Sequence, residues 1–157
     1  MTTAEATGLL INGEHVEVPG LTILGPGDVA WAKLSPRDYK KRSARDWIRQ
    51  IIVHTTKGDW PQTILPGSGS GGRDKAVSDY WSSDPKSGGA HLVVDNDGSI
   101  VCLCDLALDM AYHATTSNQW SIGIEMYQEH GGGVHEAVLT STVLLVKFLC
   151  DTFAIPF

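Results

Sequence analysis

The sequence predicts an α/β fold, a central mixed β-sheet flanked by helices. Three observations carry that reading. Ile51-Ile52-Val53 is a β-branched run bounded by polar residues, two apolar runs flank the turn Asp95-Asn96-Asp97-Gly98, and apolar residues recur at helical spacing from about His135 to Phe153. At 157 residues with 42% hydrophobic and 19% charged residues, the chain suits one packed domain and is a poor candidate for disorder.

Taken in order, residues 8–24 read as short strands around the turns at Asn12-Gly13 and Pro19-Gly20. The polar stretch Lys33–Asp46 reads as a helical turn or arm over the surface, with a solvated connector as the plainer alternative. Residues 1–46 are thus expected to form an N-terminal arm ahead of a domain over 47–157. A buried strand ends at His54. Pro66–Gly72 is a Gly-Ser loop, and Asp74–Ser82 a short helix with Val77, Tyr80 and Trp81 on one side. His91–Val94 and Ser99–Leu103 form a β-hairpin, and Ser121–Met126 a further strand. Gly131-Gly132-Gly133 then turns the chain into the long helix, whose core face is Val138, Leu139, Thr142, Leu145, Val146, Leu149 and Cys150. Ile155-Pro156-Phe157 looks like the entrance to another strand.

The net charge of −6 argues against a nucleic-acid partner, because phosphate binding needs a Lys and Arg surplus. No apolar run approaches the roughly 20 residues that span a bilayer, so no membrane partner is expected. The start, Met1-Thr2-Thr3-Ala4-Glu5, shows neither a basic segment nor an apolar core, which predicts synthesis in the cytoplasm without a secretion signal. Cys102, Cys104 and Cys150 are an odd set without metal-knuckle spacing, so all three are expected to be reduced.

Three groups are candidates for chemistry: His54 at a strand end, His113, and Glu125 within a strand. Strand alternation puts Ser121, Gly123 and Glu125 on one face and Ile122, Ile124 and Met126 on the other. A solvated Glu125 and a buried general base with a raised pKa are both compatible with that pattern. Composition does not choose between them and names no substrate.

Ile51-Ile52-Val53-His54-Thr55-Thr56 resembles the hydrophobic-Val-His-x-Thr strand of the type-2 N-acetylmuramoyl-L-alanine amidases. That superfamily includes phage lysozyme-like amidases, bacterial anhydromuramoyl amidases and animal peptidoglycan recognition proteins. Gly89-Ala90-His91-Leu92 with Asp97-Gly98-Ser99-Ile100 is similar to its Ser-Ala-His-Phe and Asp-Gly-Ser-Ile hairpin. Ala111-Tyr112-His113-Ala114 resembles Trp-His-Ala-Gly, and Asn118–Glu125 agrees with Asn-x-x-Ser-Ile-Gly-Ile-Glu at every fixed position. Each motif is weak alone; four in order, from about Trp47 to Phe157, are specific.

The resemblance implies a zinc-dependent peptidoglycan hydrolase that cuts the amide bond between N-acetylmuramic acid and L-alanine. His54 would be the first Zn2+ ligand, and Glu125 the base that takes the proton from zinc-bound water. His113 would line the cleft on the muramoyl side or steady the oxyanion. Asn118 joins it among the binding residues, more specifically by holding the loop before the Glu125 strand, and His91 would be structural. Some relatives carry a Tyr where this chain has Ala90, which throws proton transfer onto Glu125. Gly123, lacking a side chain, would let substrate or metal approach the strand.

The family's other two ligands, a His and then a Cys or Asp, are expected beyond Phe157, and none of His15, His130 or His135 matches them. Three readings follow: an amidase completed by a C-terminal segment or partner chain, a divergent site recruiting His113 or another His, or a non-catalytic wall-binding or assembly module. The first also predicts a missing edge strand and a need for that partner in solution. A phage or prophage endolysin acting on the wall after release, and a cytosolic wall-recycling amidase, both suit a chain without a visible leader. The 1–46 arm and the Gly-Ser loop favour the endolysin.

Overall fold

Asn12 and Gly13 both take positive φ, 53° and 81°, the backbone of a two-residue hairpin turn whose twist matches the strands it joins. In the computed structural model this turn links β1 (Leu9–Ile11) to β2 (Glu14–Val16). The structure describes residues 8–25, 39–43, 47–56, 88–128 and 131–156. The loop expected at Pro66–Gly72 and the helix expected at Asp74–Ser82 lie outside them.

The remaining strands are β3 (Ile23–Leu24), β4 (Tyr39–Lys41), β5 (Gln50–Thr55), β6 (Leu92–Val94), β7 (Ile100–Cys102), β8 (Asp109–Ala111) and β9 (Ser121–Met126). A 3-10 helix, Thr115–Trp120, leads into β9, and α1 (Glu136–Phe153) follows it. The central sheet has the order β3-β7-β6-β9-β5. Only β6 and β7 are antiparallel; β3/β7, β6/β9 and β9/β5 are parallel, so the sheet is mixed, as expected.

Helix α1 covers one face. Val138, Leu145 and Leu149 are fully buried against Leu92, Val94, Ile100, Ile122 and Ile124. Leu9, Ile11, Val18 and Ile23 belong to the same apolar cluster. The helix crosses the β6–β7 turn so closely that a Cβ on Gly98 (φ 85°) would sit 2.7 Å from Ser141 Oγ and 2.9 Å from the Ala137 carbonyl oxygen. The opposite face carries a smaller cluster of Ala90, Val93, Val101, Leu103, Cys104 and Ala111.

Several sequence expectations are corrected, the first of them β5: expected as a buried strand ending at His54, it runs to Thr55 at the edge of the sheet and leaves Val53 40% exposed. Residues 39–41, read as part of a helical turn or arm, form β4, which pairs antiparallel with β8 and is tied to it by Lys41 and the Asp109 carboxylate. Leu139, placed on the core face of the long helix, is 48% exposed; it lies about 100° around from Val138 and flanks the buried stripe. Thr142 on that stripe is buried with its hydroxyl satisfied, donating to the Val138 carbonyl at 2.7 Å. After Phe153 the chain turns through a left-handed Ala154, and neither Ile155 nor Pro156 is in a strand.

All three cysteines are free and buried, and burial pushes the Cys102 thiol up to about 12. Among the described residues no helix is long and apolar enough to cross a membrane.

Asp105 stitches the β1–β2 turn to the segment before β8. Its buried carboxylate accepts the backbone N–H groups of Asn12 at 3.1 Å, Gly13 at 2.6 Å, and Ala107 and Leu108 at 2.9 Å each. Asp105→Ala leaves those donors without their acceptor and is expected to lower the unfolding free energy by roughly 3 kcal/mol, read from urea denaturation.

Candidate active site

Strands β5 and β9 run parallel in the register Gln50↔Ser121, Ile52↔Gly123, His54↔Glu125. Residues paired across a parallel ladder project to the same side, so His54 and Glu125 are immediate neighbours on the face away from α1. The alternation expected within β9 is the one observed: Ile122 and Ile124 enter the core under α1, and Ser121, Gly123 and Glu125 take the other side.

His54 is half-buried, and its Nε2 lies 3.2 Å from His113 Nδ1. His113 in turn places Nε2 3.0 Å from Ser121 Oγ, and Ser121 donates its hydroxyl to the Ser117 carbonyl at 2.7 Å. The His113 ring stands edge-on to both His54 and His91, with centroids 5.5 Å apart in each case. It is held against Gly123: a Cβ there would be 2.5 Å from His113 Cγ. The opening at Gly123 that the sequence reading assigned to substrate or metal is therefore filled by this imidazole.

Asn118, buried in the 3-10 helix, gives its side-chain oxygen to the backbone N–H groups of His113 at 3.0 Å and Ala114 at 2.6 Å. It holds the loop that carries His113. His91 is fully buried; its Nδ1 accepts the Gly123 N–H at 3.0 Å and its Nε2 lies 3.2 Å from the Asp109 carbonyl. This ring ties β6, β8 and β9 together.

Arg42 is the residue that sequence reasoning missed. Its guanidinium donates to the carbonyls of Asn118 at 3.1 Å, Gln119 at 2.9 Å and Ser121 at 2.6 Å, and approaches His91 Nε2 at 3.1 Å. The carbonyls at the end of a helix lack intrahelical partners, and one planar fork of donors satisfies three at once. No local signal marks Arg42, since its partners come from the far side of the fold.

Electrostatics separates the four titratable groups. Burial pushes Glu125 up to about 7. Burial, then the His54 charge, pushes His113 down to about 4, against the opposing bond to Ser121. Burial lowers His54, and burial followed by the Arg42 and His113 charges drives His91 well below the usual histidine range. At neutral pH the face thus presents neutral imidazoles beside a carboxyl group that is free to exchange a proton.

A catalytic zinc ion takes three protein ligands and keeps one open position. Among the described residues no three His, Cys, Asp or Glu side chains converge on one point. His54 faces His113 across 3.2 Å, with Glu125 one strand away, and these described donors do not make a complete zinc set.

The fold has solved counterparts. PGRP-Hd from Alvinella pompejana superposes with a TM-score of 0.66 at 17% identity, over 87% of this chain and 82% of that one. A mutant endolysin from Bacillus subtilis gives 0.59 at 18% identity, over 87% and 79%. The endolysin N-acetylmuramoyl-L-alanine amidase LysCS from Clostridium intestinale URNW gives 0.56 at 19%, over 88% and 78%. No curated protein sequence matches the chain. Residues 43–157, which hold the His54–His113–Glu125 face, Arg42's carbonyl partners and α1, match the N-acetylmuramoyl-L-alanine amidase family, and the chain belongs to that family.

Proposed function

We propose that this chain hydrolyses the amide bond between the lactyl group of N-acetylmuramic acid and L-alanine in peptidoglycan, as a phage or prophage endolysin. The observation that carries the reading is the pairing of His54 with Glu125 on one sheet face, where burial sets the Glu125 carboxyl near 7. A base is most effective when its pKa lies near the working pH. Glu125 takes a proton from the attacking water as the water oxygen bonds to the lactyl carbonyl carbon. It returns that proton to the alanine nitrogen as the carbon–nitrogen bond breaks. Both ring nitrogens of His113 and the side-chain oxygen of Asn118 are engaged within the chain, so His113 meets the muramoyl side by packing while Asn118 holds the loop that carries it. Zinc enters this reading as an ion that His54 would share with donors outside the described residues; it would polarise the carbonyl when bound.

Purified cell walls incubated with the protein should release new N-terminal alanine, detected by amine labelling. Sedimentation with the walls without new termini would replace the hydrolase reading by that of a wall-binding module. Absence of both binding and release would remove peptidoglycan from the account.

A further inference from the structure

The order of hydrogen bonds behind His54 determines where its proton resides. The Ser117 carbonyl oxygen only accepts, so the Ser121 hydroxyl proton is committed to it at 2.7 Å. Ser121 Oγ then faces His113 Nε2, 3.0 Å away, as an acceptor. A neutral imidazole carries one N–H, which places the His113 proton on Nε2 and a lone pair on Nδ1. That Nδ1 is the atom 3.2 Å from His54 Nε2. Two lone pairs would oppose each other there unless His54 carries its own proton on Nε2.

We infer that Ser121 is a positioning residue that sets the tautomers of both histidines, so that His54 turns Nε2–H inward and offers Nδ1 as its basic atom. The relay has a fixed origin. Ser121 is fully buried, and its carbonyl is clamped by Arg42 at 2.6 Å. The His113 backbone N–H is pinned by Asn118 at 3.0 Å, and Gly123 leaves room for the ring against the strand. His91 is held separately: its Nδ1 accepts the Gly123 N–H, and its Nε2 lies among the Asp109 carbonyl, the Arg42 guanidinium and the Ala111 N–H, with no bond to Ser121. The same logic fixes histidines that serve at metal and acid–base sites, where the bond made by one ring nitrogen decides what the other presents.

The inference deepens the proposed function, since His54 belongs to the same site. Its test reads protons directly, so failure of the relay and failure of the hydrolase reading are distinguishable. Long-range 1H–15N spectra of the full chain, 15N-labelled, chelator-treated and at neutral pH, report the tautomer of each ring. The expected result is the Nε2–H pattern for His54 and His113. In Ser121→Ala a buried N–H on His113 would lose its acceptor, so the tautomer ratio of His113 and His54 should move toward Nδ1–H by roughly ten-fold, with His91 unchanged. A His113 proton on Nδ1 in the unaltered chain overturns the relay whether or not the variant folds. So does a folded Ser121→Ala with unchanged His54 and His113 patterns, or one in which His91 shifts alongside them.

Discussion

Glu125→Gln is expected to lower wall hydrolysis by roughly 10²–10⁴-fold while binding to walls survives. Gln keeps the shape of the side chain and removes the base. The unaltered protein should show a rate that rises with pH and levels above about 7, because the deprotonated carboxylate is the active form and burial holds its pKa there. The variant's residual rate should lose that limb. Stability moves the other way. A carboxyl raised from 4.5 to about 7 in the fold contributes stability below 4.5 that is lost as pH rises through 7. Glu125→Gln, which cannot ionise, should therefore match the parent at pH 4 and exceed it at pH 8, by up to roughly 3 kcal/mol. Thermal unfolding at the two pH values reads this difference. His54→Ala should abolish turnover as well. Near-normal turnover in Glu125→Gln beside a dead His54→Ala would sink the base assignment and leave the proton to another group.

Gly123→Ala should disable the site by adding one methyl group. The new Cβ would meet His113 at 2.5 Å from Cγ and 2.6 Å from Nδ1. The ring cannot simply retreat, because Ser121 and His54 hold its nitrogens and Asn118 holds its backbone. Overpacking of this kind costs roughly 1–3 kcal/mol, and a displacement of about 1 Å at a reacting site costs on the order of 10²-fold in rate. The three atoms nearest the new methyl group all belong to His113, which makes a double-variant cycle informative. His113→Ala removes the ring that the new methyl group strikes, so the pair Gly123→Ala/His113→Ala should be less destabilised than the sum of the two by at least about 1 kcal/mol. Additive costs in urea denaturation would show that the glycine is required for some other reason.

Much of this fold was legible without coordinates. Asn12-Gly13 names its own turn because only that kind of pair accepts two successive positive φ values cheaply, and the structure has 53° and 81° there. The Ile122–Ile124 alternation separates the two faces of β9, and the spacing of Val138, Leu145 and Leu149 marks the buried side of α1. These are short-range signals: the period of a strand or helix and the steric tolerance of a turn act within a few residues. Together with the ordered motifs they also brought His54, His113 and Glu125 into view as candidates.

Long-range pairing is a different matter. Strand β8 is three residues long, too short to show a period, and it forms with β4 because Tyr39↔Ala111 and Lys41↔Asp109 meet in the fold. Leu139 carries the same apolar side chain as Leu145, and only the position of the sheet under α1 decides that one is exposed and the other buried. Gly123 advertised an opening, but which group enters it was decided by the loop that Asn118 holds and the carbonyls that Arg42 gathers. The sequence by itself determined the local elements and the residue types available for chemistry, since those follow from backbone sterics and side-chain identity. The tertiary structure alone decided that His54 stands in register with Glu125, that burial lifts the carboxyl toward 7, and that a serine behind His113 orients both rings, because hydrogen bonds and desolvation between distant segments exist only once the chain has packed.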